Sequence, residues 1–509
     1  VNATSHLPLL PVLLPLVAGA LLLVVRDRAL RAERVISLLA ASASLVTSVL
    51  LVRHVDDGGA IVHRVGELAP GLAITLRVDR LGALMLLLTD VVALAAIAHA
   101  CFGDDKTGPH LHALLQFQIA GLHGAFVTND LFNVFVFFEI LLIASYALLL
   151  HGRTRARVRA GMPYVLVNLA GSTLFLVAIA SVYGLLGALD LDTLAARAAS
   201  APAEVRPLVR VAVLLLLFVF ALKSALVPLH LWLPRAYAAA PSSIAALFAL
   251  LTKVGVYALV RTAPIASAAA GGNTLFETYV LPLALLSQWV GFGAAIGTRH
   301  LGRTLGHLLV GSVGVMVTGI AIGTKSALAA ALVYLAHSTV TVAAAFLVRD
   351  GLLRARPLRD SLARSRAPRS APVLGAAFFA VGVAAAGAPP FAGFWAKAWL
   401  LRGAVETPLS AAVFATVLGS GLLALVACVR AGIALFWNVD RRPAGGEADT
   451  RSHAAGARPV LAPALSLVVA LFAYSVAGGP ISRYADEAAE ELLSQRAGAA
   501  AGALVEARR

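Results

Sequence analysis

Fourteen apolar runs, near residues 7–25, 35–52, 81–100, 112–128, 131–150, 162–184, 208–228, 242–261, 276–296, 305–322, 327–348, 371–400, 409–437 and 459–478, leave this chain little polar sequence from which to build a soluble surface. Each approaches the roughly 20 residues that carry an α-helix across a bilayer. In hydrocarbon a backbone must satisfy its own polar groups, so runs of this length fold as helices. The expected class is an all-α polytopic membrane protein with about 14 transmembrane helices.

Composition agrees and removes other classes. Hydrophobic residues fill 60% of 509 positions and charged residues 13%, against roughly 25% charged in an average soluble domain. A net charge of +15 would suit nucleic acid. The arginines, however, gather in short loops with few interleaved aromatics, so topology is the better explanation and no nucleic-acid partner is expected. Lys and Arg accumulate in cytoplasmic loops. The clusters Arg26–Arg34, Arg153–Arg159, Arg299 with Arg303, Arg349–Arg369, and Arg441 with Arg442 all follow odd-numbered runs. Those loops are expected in the cytoplasm and both termini outside, with the chain in the cytoplasmic (inner) membrane. The first run, Leu7–Val25, lacks a preceding basic region and a cleavage-like stop, so it reads as a span. Cys101 and Cys428 form no disulfide framework and no metal-ligand spacing. No phosphate loop, HExxH or nucleophile elbow occurs, so the expectation is a transporter component without cofactor or metal, not an enzyme.

Three segments fall between or beyond the runs. His54–Arg80, with Gly58, Gly59 and Pro70, reads as an external loop. Leu189–Val205 suits either a short surface helix or a linker. The tail Ile481–Arg509 either forms a helix or frays outside the bilayer.

Two runs are broken by proline: Lys223-Ser-Ala-Leu-Val-Pro228-Leu-His230-Leu-Trp-Leu-Pro234, and Gly387-Ala-Pro389-Pro390-Phe-Ala-Gly393-Phe-Trp-Ala-Lys397. Proline removes a donor and frees carbonyl groups. Matching discontinuous helices in two halves of a membrane chain point to inverted repeats around a transport site. The expected division is 1–110 for helices 1–3, 111–265 for a first five-helix repeat, 270–440 for a second, each with a discontinuous helix, and 455–509 for a final helix and external tail.

Isolated charges sit in these runs, where an ionisable side chain is costly and marks a polar path by default. Glu139 is solitary in Leu131–Leu150, and Lys223, Lys253 and Lys397 occupy three further runs. Glu139 reads either as a carboxylate locked in an interhelical hydrogen bond or as a site that takes and releases protons as a nearby ammonium moves. Lys223 is its expected partner. Lys253, midway along its run and two residues before Gly255, suits a relay or a static pairing. Lysine can lose its proton when desolvated whereas arginine keeps its charge. His337 is the strongly titratable side chain of its run, flanked by Ser338, Thr339 and Thr341, and reads as a relay imidazole or a satisfied core histidine. His230, His307 and Lys325 are candidates for a channel entrance or exit.

At these residues the chain resembles the D-type subunits of the Mrp-type multisubunit monovalent cation (Na⁺)/proton antiporters, and more distantly the antiporter-like membrane subunits of respiratory complex I. The resemblance covers about residues 70–440 and is strongest in Phe117–Gly121 running into Phe126–Glu139, in Lys223–Pro234, in Ala245–Arg261 and in Pro389–Lys397. It implies a proton relay of Glu139, Lys223, Lys253, His337 and Lys397. It also implies membership of a six- or seven-subunit membrane complex exchanging protons for Na⁺ or another monovalent cation. Tyr237 stands where complex I subunits usually have histidine. Thr341-Val342 stands where relatives often carry a lysine just beyond the histidine, so either water and hydroxyls bridge that gap or His337 does more. The alternative reading is a proton-pumping subunit of a quinone-linked dehydrogenase or membrane hydrogenase.

Overall fold

Apolar runs fold to helices here and the proline-broken ones to pairs of half-helices. The structure, a computed structural model, describes residues 3–25, 30–65, 74–356, 360–363, 365–366, 371–440 and 450–506. Pro70 of the external loop and Arg26, Arg28, Arg359, Arg364, Arg369, Arg441 and Arg442 of the basic clusters lie outside the described residues.

After a short 3₁₀ turn come α1 (Leu10–Val25) and α2 (Leu30–Gly58). The segment expected as a loop contains an antiparallel ribbon, β1 (Ile61–Val65) with β2 (Ile74–Val78), paired Ile61 to Val78 through Val65 to Ile74. In β2 the apolar Ile74, Leu76 and Val78 alternate with Thr75 and Arg77, the period-2 pattern of a half-buried strand, whereas β1 (Ile-Val-His-Arg-Val) does not alternate. Next are α3 (Arg80–Ala100), α4 (Leu111–Val127), α5 (Leu131–Leu150), α6 (Arg155–Leu186) and the short α7 (Leu191–Ala199). The segment of α7 had suited a helix or a linker, and it is a helix for two reasons. Asp190 caps it by accepting from Thr193 N, and Leu191, Leu194, Ala195 and Ala198 bury one face.

The next set is α8 (Arg206–Lys223), α9 (Leu233–Ala239), α10 (Ser242–Phe248) and α11 (Leu251–Ala270). Then follow α12 (Leu281–Gly297), α13 (Leu301–Ile322), α14 (Lys325–Ala355), α15 (Ala371–Ala386), α16 (Ala392–Ala404), α17 (Ser410–Gly432), α18 (Thr450–Val476) and α19 (Gly478–Glu506). Ten helices among the described residues are long and apolar enough to cross a membrane, or eleven if the bent pair Val460–Val476 and Gly478–Ala497, which meet at 78°, forms one span. Leu111–Val127 and Pro372–Ala386 are shorter apolar helices. The chain is a multi-pass, helical membrane protein.

At the centre lies α14, buried along its length and packed on α3, α10, α13, α15, α16, α18 and α19. Alanines at 327, 329–331, 336 and 343–345 let these neighbours approach closely. The tail beyond Ile481 is helical: α19 lies against α7, α11 and α14 and is tied by Tyr484 Oη donating to Arg80 O at 2.8 Å and by Arg80 to Glu487 at 2.8 Å.

Candidate functional site

The two proline-broken runs end their first halves in the same way. Ala225 N donates to Leu222 O and Leu226 N to Ala221 O, each at 3.0 Å. Gly387 N donates to Ala384 O at 3.0 Å and Ala388 N to Val383 O at 3.1 Å. This double closure around a left-handed residue is the Schellman motif. The left-handed residue is Ala225 (φ 59°) in one break and Gly387 (φ 71°) in the other. Pro228 and Pro390 each follow three residues later. The breaks α8/α9 and α15/α16 are therefore matched in backbone as well as in proline.

Lys223 ends α8, buried, with Nζ donating to Asn168 O and Ser172 Oγ on α6, both at 3.1 Å. Tyr164, Asn168 and Ser172 recur every four residues on the buried face of α6. The expected pairing of Lys223 with Glu139 does not form. No ion-pair contact joins them among the described residues, and Glu139 is half-buried with Oε1 buried and without a hydrogen-bond donor. The cause is helical phase: Phe138 takes the inward position, stacked with Phe220 at 6.4 Å and edge-on to Phe175 at 5.8 Å. Glu139, about 100° further round, lies on the flank of α5.

Lys253 is fully buried in α11, and its Nζ has no hydrogen-bond partner among the described residues. Two residues on, Gly255 presses against the α8 break: a Cβ there would lie 2.6 Å from Ser224 N and Oγ and 2.9 Å from Lys223 C. Tyr237, buried, donates to Phe248 O at 2.7 Å where α10 gives way to α11. Beyond Lys253 toward the β-ribbon, Tyr257 Oη donates to Phe126 O at 2.8 Å and Arg261 makes a bidentate contact with Asp79 at 2.5 and 2.6 Å.

In the second half the side chains meet the carbonyls released by the break. His337 Nε2 lies 3.0 Å from Ala384 O, and Lys397 Nζ donates to Ala386 O at 2.9 Å. Lys397 also lies 5.9 Å from the Phe292 ring and 5.8 Å from that of Tyr334. Glycine makes room for both: a Cβ at Gly387 would lie 2.7 Å from Lys397 Nζ and one at Gly393 2.5 Å from His337 Nε2. Thr341 Oγ1 donates back to His337 O at 2.7 Å. Beside Thr341 and Val342 a 30 Å³ cavity opens, lined by Thr304 and otherwise mainly by Leu, Val, Ala and Phe.

The three entrance or exit candidates divide. His230 and His307 approach with ring centres 6.4 Å apart at a cleft of about 570 Å³. Lys325 is elsewhere, half-exposed at the start of α14 and paired with Glu490 of α19 at 2.6 Å. It lines no part of that cleft, because α13 separates it from His307.

Polar groups outside the expected set are also buried. In α1–α4, Asp90 accepts from Ser48 Oγ at 2.5 Å and faces His123 at 3.1 Å, while His123 Nδ1 meets Pro11 O at 2.6 Å. Gln116 Nε2 donates to Ser37 O at 3.0 Å, and His112, Asp105 and Arg34 continue this polar seam to the end of α2 near Leu30. Asp90 and His123 were visible as titratable residues inside apolar runs, a signal akin to the one that singled out Glu139, though His99 and His112 lie at the ends of the same runs.

Residues 128–423 match the transmembrane family described as NADH:quinone oxidoreductase/Mrp antiporter. The chain belongs to this family. Similar curated proteins include the D component of a probable K(+)/H(+) antiporter of Rhizobium meliloti, 34% identical over 96% of both chains. The D component of the Na(+)/H(+) antiporter of Alkalihalophilus pseudofirmus is 33% identical over 96% of this chain and 97% of that one. Among solved structures, a chain of the Mrp complex from Dietzia superposes with a TM-score of 0.85 at 28% identity, covering 97% of this chain and 98% of that one. A chain of respiratory complex I from Thermus thermophilus gives 0.78 at 28% identity, covering 96% and 99%. The chain is thus a homologue of the D-type subunits of Mrp antiporters, and it shares its fold with the antiporter-like subunits of complex I.

Proposed function

We propose that this chain is the proton-translocating subunit of a multisubunit monovalent cation/proton antiporter, a secondary transporter and one member of a larger membrane assembly. Its relatives at 30% identity or more with near-complete coverage are named as K(+)/H(+) or Na(+)/H(+) antiporter subunits, which favours antiport over a redox complex. Those names differ in the cation, so the proposal specifies a monovalent cation and no more.

The observation that carries the mechanism is Lys253, an amine fully enclosed in the bundle with no acceptor for its protons among the described residues. An unpaired ammonium in such a place is costly, whereas a neutral amine is tolerated. In the relay reading, Lys223 and Lys253 pass a proton across the glycine contact that joins their helices. His337 and Lys397 form the corresponding pair at the second break, and Glu139 on the flank of α5 is a further protonatable member of the relay. The mainly apolar lining of the cavity beside Thr341 supports His337, rather than a chain of waters, as the carrier at the position without lysine.

The matched Schellman closures support the reading of two inverted five-helix repeats, within 111–265 and 270–440, preceded by three helices in 1–110 and followed by 455–509. Counting α4, α8 with its continuation, and α15 with α16 as crossings brings the spans to fourteen. The basic loops then face the cytoplasm and both termini face outward.

The test is cation-driven proton movement in inside-out vesicles carrying the whole complex, with the abundance of each component checked. Guanidinium cannot release a proton, so Lys253→Arg is expected to abolish exchange despite keeping its charge, and Glu139→Gln to do the same. Exchange above half of wild type in Lys253→Arg would overturn the relay.

A further inference from the structure

The cleft of about 570 Å³ beside the first break is lined by His230, Leu231, Arg235, Arg299, His300, Arg303 and His307, together with Pro234 and the end of α12. Its lining contains three arginines, three histidines and no carboxylate. The guanidinium groups of Arg235, Arg299 and Arg303 make no ion pair or hydrogen bond among the described residues. Some other arginines of the basic loops are neutralised, Arg34 by Asp105, Arg349 by Asp360 and Arg354 by Asp350, while the exposed Arg153, Arg155 and Arg159 make no ion pair among the described residues but line no such cleft. A site that collects this much unneutralised positive charge in one concave place is built for an anion.

The rim says which kind. Leu231, next to the buried His230, is 74% exposed. On α12, Leu286, Val290, Ala294 and Gly297 recur at steps of four, four and three and are all exposed or half-buried, so an apolar track climbs one face of the helix and ends in the cleft. A basic cleft at the foot of an exposed apolar track matches a phosphate with acyl chains, and basic pockets between helices on the cytoplasmic side are where anionic headgroups bind.

We propose that this cleft is a binding site for the phosphate headgroup of an anionic phospholipid from the cytoplasmic leaflet, seated against Arg235, Arg299 and Arg303 with its chains along α12. The chemistry has a consequence that rests on the antiporter reading. Three fixed positive charges around His230 and His307 repel the protons those imidazoles would collect, and the bound phosphodiester offsets that charge at the mouth of the first half.

The test uses the purified whole complex in phosphatidylcholine nanodiscs titrated with phosphatidylglycerol, with retained lipid counted by mass spectrometry. Each arginine contributes roughly fivefold in affinity, so the triple variant Arg235→Gln, Arg299→Gln, Arg303→Gln is expected to weaken phosphatidylglycerol retention by about a hundredfold. The triple Arg→Lys variant, which keeps the charge, is expected to stay within roughly fivefold of wild type and serves if the Gln variant assembles poorly. Unchanged retention in the Gln variant would overturn the site. Displacement of the lipid by millimolar inorganic phosphate would reassign it to a soluble anion, and crosslinking of Arg235 to an acidic segment of another chain of the complex would reassign it to a protein contact. Either result overturns the lipid proposal. Transport is read separately: loss of activity with lipid retention intact would count against the antiporter consequence and leave the binding site standing.

Discussion

Lysines and carboxylates in this chain are distinguished by what the backbone offers them. Lys223 and Lys397 each find a main-chain acceptor, Asn168 O and Ala386 O, whereas Lys253 finds none among the described residues. Asp79 shows the opposite design. Burial alone pushes its carboxyl up, but the Arg261 guanidinium more than reverses this, bringing it from the usual 3.8 down to about 2. A depressed carboxylate stabilises the fold above its unfolded value and loses that contribution as pH falls through the folded one. The shift corresponds to about 2 kcal/mol, present above pH ~4 and lost toward pH ~2. Asp79→Asn also leaves Arg261 buried and unpaired, a change costing about 3–5 kcal/mol. Thermal unfolding of the purified complex is expected to show a constant deficit for Asp79→Asn between about pH 8 and 5, narrowing only below about 4. A deficit that shrinks already between about pH 7 and 6 would contradict the pairing. In the sequence, Glu139, Lys223, Lys253, His337 and Lys397 were legible because a charge in an apolar run stands out. The facing of Glu139 was not, because one residue of helical phase separates the core position of Phe138 from the flank, and both are equally apolar in context.

At the level of elements, the prolines announced both breaks, yet the closure of each first half depends on backbone bonds that no residue type advertises. Gly387 adopts its left-handed conformation without penalty, while Ala225 does so with a side chain. For an L-residue that conformation costs roughly 1–2 kcal/mol. Ala225→Gly is therefore expected to be neutral or to stabilise the complex by up to about 1 kcal/mol. Gly387→Ala incurs the strain and also puts a methyl group 2.7 Å from Lys397 Nζ, so it is expected to cost at least ~2 kcal/mol and to lower exchange severely. Paired melting and transport measurements on the two variants check this; equal effects would refute the asymmetry. The β1–β2 ribbon was missed within His54–Arg80 because the turn signals Gly58, Gly59 and Pro70 dominate that segment and only the second strand alternates apolar with polar residues. α7 was resolved by its Asp190 cap and apolar face, features short enough to be shared with a linker.

Over the whole molecule, the helical class and the membrane setting followed directly from the spacing of apolar runs, whereas the arrangement around α14 did not. An alanine-rich run reads like any other span until its neighbours close in on every side. The final helix α19 is likewise a long-range feature: its contacts reach Arg80 through Tyr484 and Glu487, Lys325 through Glu490, and Arg77 through Glu491. Of these pairs Lys325–Glu490 is exposed and contributes little, about 0–1 kcal/mol, Arg77–Glu491 is a loose contact at 3.8 Å, and only Arg80–Glu487 is both close and partly buried. The apolar burial of Ala485, Ala488, Ala489 and Leu492 is therefore expected to dominate. Ending the chain after Val476 is expected to lower the melting temperature of the complex far more than Glu487→Gln, Glu490→Gln and Glu491→Gln combined, with scanning calorimetry as the check. Similar losses from the two would place the anchoring in the charges instead.

The glycine contact between α11 and the end of α8 carries a mechanical meaning of its own. With Gly255 seated against the backbone and the short hydroxyl of Ser224, no long side chain stands between the two helices at this contact to absorb a displacement. Any hydration or shift of the α8 break must push on the segment that holds Lys253, so the energetics of the two lysines are not separable. Substitutions at Lys223 and Lys253 then carry a coupling energy, as residues sharing one network do, and the first half of the molecule behaves as one hinged part with two titratable ends.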